Sequence, residues 1–317
     1  MASQTQPITT TDVLDYSGEA FFVGATFGVS PIMSRAGLTT GFKTSTANQF
    51  SMGNFFTGDA PAQDTQTEDA SVAAMALTSF TPSQNTQNMQ ILRKTWVQSY
   101  AAQALNGNLS GVAVLGMGKT ESRALATQRT AHLKMLMADF EFSALRGTSQ
   151  AWTNAATAGA MGGVVTAIEA GSETAAGGAA LSTNLINTEI VRMAAAGAEF
   201  VDPVITCGAF QYQALDALYG NAIQSQTTGG TNVRTIMLPV MGQAEIIYNP
   251  VLAADDLVIL DMAHISPVFG VVAGKPPIFI EALAKIAAGT QEQLYSLASV
   301  DYNDVLFHGM VSGLATS

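Results

Sequence analysis

From Thr120 to Arg146 the chain carries one unbroken helical period, and this segment limits the fold more than any other. Leu133, Leu136, Met137, Phe140 and Ala144 recur at the spacing that lines one face of a helix. Thr120 is placed to cap the first turn, Glu121 suits the positive end of the helix dipole, and Arg146-Gly147 supplies a stop. At 1.5 Å per residue the helix spans roughly 40 Å, well past the three or four turns of an ordinary globular helix. A rod of that length is a spine, and the rest of the chain has to be arranged along it.

The layout around the spine is α+β. Residues 1–44 mix polar and small side chains with Gly24, Gly28, Pro31, Gly37 and Gly41 and hold no helical period, which reads as an extended arm. Over 45–105, strands at Ala47 to Phe56 and Met89 to Tyr100 flank the polar stretch Gly58 to Asn88, so the pattern predicts a long hairpin with a flexible tip. Asn106-Gly107 is a strong turn signal that opens a segment over 106–181 containing the helix of 120–146. Gly- and Ala-rich sequence from Ala155 to Ala180 then marks a crossing into a second unit over 182–263. There Ser182 or Thr183 caps a helix through Leu185, Ile186, Ile190 and Met193 to Gly197; a strand near Val204 to Cys207 and a helix from Phe210 to Tyr219 follow. Strands at Val233 to Leu238, Ala244 to Tyr248 and Leu257 to Leu260 complete it. Over 264–317, Ile278 to Leu283, Gln293 to Ser299 and Val305 to Val311 predict a terminal antiparallel set.

Charged residues make up 12% of the chain, about half the usual share of ~25%. No apolar run approaches the ~20 residues of a membrane span. Two readings remain: solubility carried by neutral polar side chains, or a surface mostly buried against copies of itself, where interface cores are depleted in charge. We favour the second. The net charge of −11 argues against a broad nucleic-acid-binding face, which needs clustered cations. Arg93, Lys94, Lys119, Arg123, Arg129, Lys134 and Arg146 nevertheless crowd one stretch of sequence. That crowding fits either a local basic face or the solvated side of a long helix. The single cysteine, Cys207, excludes an intramolecular disulfide and reads as a small buried hydrophobe. Met1 to Thr11 lacks the basic and then apolar pattern of a signal peptide, which predicts a cytoplasmic site of synthesis and use.

Few residues point to chemistry. Gly116-Met117-Gly118-Lys119-Thr120 follows Val112 to Leu115 and opens a helix, as a nucleotide-binding P-loop does, but Ala113 stands where that motif requires glycine. Leu257 to Asp261 is the nearest strand that ends in a candidate magnesium-binding Asp. His132, His264 and His308 have no second ligand at metal-binding spacing, and Asp255-Asp256 reads as an acidic turn rather than a cation site. No catalytic set has a local signature, so no enzyme, cofactor or metal is expected. A nucleotide-dependent enzyme using Lys119 and Thr120, and a surface-layer structural protein, stand as alternatives.

The order of parts resembles that of Hong Kong 97-type (HK97-like) capsid proteins: arm, long hairpin called the E-loop, spine helix, axial domain, peripheral strands. The stretch Asn85-Thr86-Gln87-Asn88-Met89-Gln90-Ile91-Leu92, through Thr95 to Tyr100, resembles the second E-loop strand of a phage major capsid protein family that includes many actinobacteriophage shells. Gln128, Leu133-Lys134 and Asp139 to Glu141 are similar to its spine helix, and Met161-Gly162-Gly163 to the glycine turn after it. Glu281 to Lys285, Gly289 and Leu294 to His308 resemble its last segment.

The resemblance implies a subunit that forms pentamers and hexamers through the axial domain and closes them into an icosahedral virion shell around double-stranded DNA. Its hairpin would lie across one neighbour and its arm beneath another. A portal, a separate scaffolding protein and a decoration protein are the implied partners, with assembly in the host cytoplasm and no membrane. No long helical N-terminal region that would be a fused scaffold is present in the sequence, and the six lysines carry no local signal for isopeptide cross-linking. The polar face of the spine is expected toward the interior, with Arg123, Arg129 and Lys134 softening repulsion with packaged DNA.

Overall fold

The computed structural model describes residues 30–38, 41–56, 63, 67–68, 82–100, 123–219, 224–228, 231–284 and 288–316. Most of the expected arm, the hairpin tip, Asn106-Gly107, the P-loop-like segment and the Thr120 cap therefore lie outside the described residues.

The chain enters through a short helix, α1 (Pro31–Arg35), with Pro at the first helical position where its missing N–H is no loss. Strand β1 (Lys43–Ser45) leads into β2 (Gln49–Phe56), which is followed by β3 (Pro82–Asn88) and β4 (Gln90–Ser99). The spine is α2 (Arg123–Arg146). Next come α3 (Val164–Glu169), β5 (Glu173–Ala175), α4 (Thr183–Ala195), β6 (Pro203–Cys207) and α5 (Ala209–Tyr219). Strands β7 (Gln224–Thr228), β8 (Thr231–Leu238), β9 (Gly242–Tyr248), β10 (Leu257–Asp261), β11 (Ser266–Gly270), β12 (Ile278–Ala282), β13 (Gly289–Asp301) and β14 (Gly309–Ser312) complete the fold, with one-turn 3₁₀ helices at Met262–His264 and Val305–Phe307. The choice of cap for α4 falls on Ser182, whose side chain accepts from Leu185 N.

Among the described residues the strands form three sheets. The longest strand, β13, organises the first. Ser296 pairs with Ile278 on one edge and Leu92 on the other, and Ala298 with Phe269 and Gln90. Strands β11 and β12 thus lie end to end along one edge of β13 and β4 along the other, with β1 added parallel to β11. The second sheet runs β5-β14-β10-β6-β9-β8-β7, and β2 pairs with β3 in a separate ribbon.

The last strand departs from the sequence expectation. Strand β14 leaves the terminal antiparallel set and inserts between β10 and β5 in the second sheet. Its short Gly-Met-Val-Ser run suits burial on both faces, with Met310 turned to one core and Val311 to the other.

The second sheet has a core on each side. Along β10, Val258 and Leu260 join one cluster and Leu257 and Ile259 the other; along β6, Val204 and Ile205 divide the same way. One core gathers Leu136, Phe140, Ala144 and Leu145 of α2, Val164 and Ile168 of α3, and Trp96, Leu294 and Phe269 from the first sheet. The other takes Ile186, Ile190 and Met193 of α4 and Leu215 of α5. On α2 the buried stripe begins later than the sequence period suggests: Leu133 is 38% exposed, because the preceding turn meets β4 and β13 through His132 and Arg129 instead.

Glu141, fully buried on α2, joins three distant segments. Its carboxyl accepts from Ile32 N (3.1 Å) and Met33 N (2.9 Å) at the start of α1 and from Asn249 Nδ2 (2.8 Å) after β9. Burial outweighs these donors and raises its pKa from 4.5 to about 7. The folded state thus favours the neutral acid, so this group's contribution to stability is complete below pH 4.5 and is lost as pH rises through 7. His308 acts in the opposite sense. Burial lowers its pKa from 6.5 to about 4, so its contribution is complete above 6.5 and lost as pH falls through 4. Relative to Glu141→Gln, the wild type should lose roughly 3 kcal/mol of unfolding free energy between pH 4.5 and 7. Denaturant titrations of both proteins across that range measure it, and a difference independent of pH would refute the buried-acid assignment.

Candidate functional site

The β2–β3 ribbon stands apart from the two larger sheets, and its root is where the fold holds it. Ser51 pairs with Thr86 and Gly53 with Asn85, so a bulge at Met52 bends the ribbon near its base. Gln49, Ser51, Gln84 and Thr86 are exposed, whereas Met52, Gln87 and Asn88 are buried at the root. The expected hairpin partner, Met89 to Tyr100, is not the one used: β3 pairs with β2, and β4 joins β13 over Gly289↔Ser99 to Ala298↔Gln90. The reason is side-chain character. Leu92 and Trp96 on β4 require a core, whereas Pro82-Ser83-Gln84-Asn85-Thr86-Gln87-Asn88 has no apolar face to bury and suits a solvated ribbon.

Buried polar side chains lock the root. Gln87 stands in for a strand edge: Nε2 donates to Gly162 O (2.7 Å) and Oε1 accepts from Gly162 N (2.9 Å). Gln90 Oε1 accepts from Met161 N (3.3 Å), Asn88 Nδ2 donates to Ser149 Oγ (3.0 Å), and Trp152 Nε1 donates to Met89 O (2.6 Å). Farther out, Asn85 Nδ2 donates to Asp304 Oδ2 (2.6 Å). Two motifs singled out in the sequence, Asn85 to Leu92 and Met161-Gly162-Gly163, thus meet in space. Gly163 lets the turn lie against the end of α2, since a Cβ there would sit 2.3 Å from Leu145 O.

A second joint holds α1 and β1 against the body. Beyond the Glu141 contacts, Arg35 pairs with Asp202 (2.7 Å) and with Glu245. Lys43 Nζ, farther along, pairs with Asp301 (2.6 Å).

The three basic residues expected to face DNA do not behave alike. Arg129 donates through Nε (2.9 Å) and Nη2 (2.6 Å) to the buried Glu292 carboxylate, a two-point ion pair inside the subunit. Lys134 is exposed. Arg123 lies in the first turn of α2, and its side chain is outside the described residues.

The remaining candidates are absorbed by packing. His132 stacks on Trp96 at 4.8 Å, and burial followed by nearby Lys94 lowers its pKa. His264 stacks on Phe307. His308 Nδ1 accepts from Asp261 N, which leaves Nε2–H to donate to Tyr302 O. The Asp261 carboxylate accepts from the backbone N–H groups of Val201, Asp202 and Ala263, so it serves as a loop staple rather than a magnesium ligand. Asp256 is buried, and burial together with Asp255 raises its pKa to about 6. Burial pushes the Cys207 thiol up to about 12, which makes it inert at neutral pH. Sequence reasoning placed Glu141 in the spine-helix resemblance but not as a buried joint, and missed Glu292. An acidic residue inside an apolar helical stripe, and one inside a strand otherwise fit for burial, were the available signals.

Comparison with known proteins gives this geometry a context. Among solved structures, the cyanophage A-1(L) capsid asymmetric unit aligns with TM-score 0.64 at 12% identity, covering 96% of this chain and 97% of that one. The holo-SrpI encapsulin complex of Synechococcus elongatus PCC 7942 gives 0.58 at 8% identity, covering 94% of each chain. The Mycobacterium phage Che8 structure gives 0.51 at 13%, covering 98% of each. No curated protein matches the sequence. These likenesses establish the HK97-like fold, which an encapsulin shares with phage capsids, so fold alone does not select between them. Residues 3–315 match the SU10 major capsid protein family, and the chain belongs to that family of capsid-forming structural proteins.

Proposed function

We propose that this protein is the shell subunit of a tailed phage, assembled in the host cytoplasm as pentamers and hexamers that close into an icosahedral virion around double-stranded DNA. The observation that carries the reading is a family match along nearly the whole chain, on a fold with a long spine and a rigidly rooted ribbon. The protein works by geometry and not by catalysis. Residues 1–44 act as the arm, 45–105 as the hairpin and its return strand β4, which pairs with β13 instead, 106–181 as the peripheral domain around the spine, 182–263 as the axial domain, and 264–317 as the return to the periphery, with β14 contributed to the axial sheet. A root held by directed hydrogen bonds aims the ribbon at a neighbouring subunit. Many such contacts, each weak, sum to a stable closed shell.

A separate scaffolding protein, a portal and a decoration protein are the partners this role requires. Packaged DNA meets the inner wall through sparse, non-specific contacts, with Arg123 and Lys134 on the spine as the proposed DNA-facing cations. Arg129, neutralised by Glu292, leaves that set. Neither a nucleotide-dependent enzyme nor a surface-layer protein finds support in the family match.

Negative-stain microscopy of the protein expressed with neighbouring phage genes should show closed shells or rings of five and six; monomers alone would overturn the reading. A density map of the shell should place Lys134 toward the lumen, and outward placement removes the DNA-facing assignment. Gln87→Ala leaves Gly162 N and O buried without these partners, at a cost of about 1–3 kcal/mol per group. Its subunits should unfold at lower denaturant and give a lower shell yield, whereas unchanged assembly would show that the root does not direct the ribbon.

A further inference from the structure

The axial sheet carries an apolar knob and an apolar cleft that its own fold leaves exposed. The knob is the β8–β9 turn. Met237 is 65% exposed and Val240 68% exposed, and Val240 sits at φ 69°, a left-handed conformation that a β-branched residue adopts only under constraint. Glycine follows at Gly242 with φ 79°, so an unstrained turn residue was within reach of this sequence. Met241 N–H closes the turn on Pro239 O (2.8 Å) and buried Leu238 and Met241 anchor it, so the fold holds the strain while Met237 and Val240 stay outside. The cleft, of about 350 Å³, opens among Leu181 before α4, Phe210, Ala214, Ala217 and Leu218 of α5, and Ala315 near the C-terminus.

Strand register sets the two features apart. Leu238 pairs with Gly242, which puts the turn where β9 begins. At the other end of β9, Tyr248 lies beside Cys207, and α5 starts just after Cys207. Gln211 of α5 donates to Ala315 O, which ties the C-terminal wall of the cleft to that same end. Knob and cleft therefore sit toward opposite ends of one sheet, the arrangement a head-to-tail interface needs if it is to close into a ring.

Charge points to the occupant. Each copy carries a net −11, so copies repel except where charge is missing from both partners. The residues lining the cleft carry no charge, and Met237 to Met241 carry none either.

We propose, resting on the capsid reading, that within a ring the β8–β9 turn of one copy, led by Val240 and Met237, seats in the cleft beside α5 of the next copy. The match is neutral against neutral and apolar against apolar, and its strain is carried by the free subunit. Val240→Gly relieves the left-handed strain and removes the knob together, so it separates this role from a structural one. Its subunits should melt at or above the wild-type temperature while shell yield falls several-fold. Mixing Val240→Cys subunits with Ala217→Cys subunits during assembly should give a disulfide-linked dimer on non-reducing gels, with little from either variant alone. Wild-type shells with no cross-link in the mixture and full assembly of Val240→Gly would overturn the contact and leave the capsid reading intact. Failure of the wild type to form rings or shells would overturn both.

Discussion

Burial of β6 and β10 on both faces is the constraint from which most of the structure follows. Their alternating side chains feed two cores, Val204, Val258 and Leu260 on one side and Ile205, Leu257 and Ile259 on the other. A sheet of that kind needs cover on both sides, which α2 and α3 supply from one direction and α4 and α5 from the other. It also needs a neighbour beyond β10, and β14 returns from the C-terminus to fill that place. The two helical layers consequently share one sheet, so a displacement of one loads the packing of the other.

The polar side chains inside these layers act as joints. Glu189 on α4 is fully buried, accepts from Met310 N of β14 (3.1 Å) and Thr174 Oγ1 of β5 (2.7 Å), and pairs with Arg192. It can come so close because residue 309 is glycine; a Cβ there would lie 2.1 Å from Glu189 Oε1. Glu141 does the same for the arm and Gln87 for the ribbon. Each places one directed polar group where segments distant in the fold's order meet. Apolar contact alone would tolerate sliding there, whereas hydrogen bonds fix an angle. Where the direction of a segment matters, angular definition counts for more than the modest net free energy of each bond.

How far the sequence revealed this depends on where each element hides its side chains. Helix α2, the Ser182-capped α4, α5 and strands β6, β8, β9 and β10 were legible because burial on one or both faces leaves a period or an apolar run. Strand β3 was not, since a two-stranded ribbon in solvent asks for no apolar face and its sequence reads as polar loop. Strand β14 was assigned to the wrong sheet because its apolar run looks the same beside β13 as beside β10; long-range pairing decided it. Leu133 was read as core because it keeps the period of Phe140, although the surface meeting that part of the helix is the stacked Trp96–His132 pair. The glycine turn and the Asn85 to Leu92 stretch stood out as motifs, but only coordinates show that each exists for the other.

The distribution of cations completes the physical picture. Arg35, Lys43, Lys94, Arg129, Arg146, Arg192 and Lys275 all have carboxylate partners within their own subunit. The net −11 opposes both non-specific nucleic-acid binding and unguided aggregation of like-charged copies. Association is then confined to patches from which charge has been removed. Exposed apolar positions such as Met237, Val240, Phe210 and Leu218 gain their meaning from that background: in a chain with 12% charged residues and a net −11, a neutral patch is where two copies can approach without a Coulombic penalty. The same surface that keeps the free subunit apart from its copies thereby selects the few orientations in which they join.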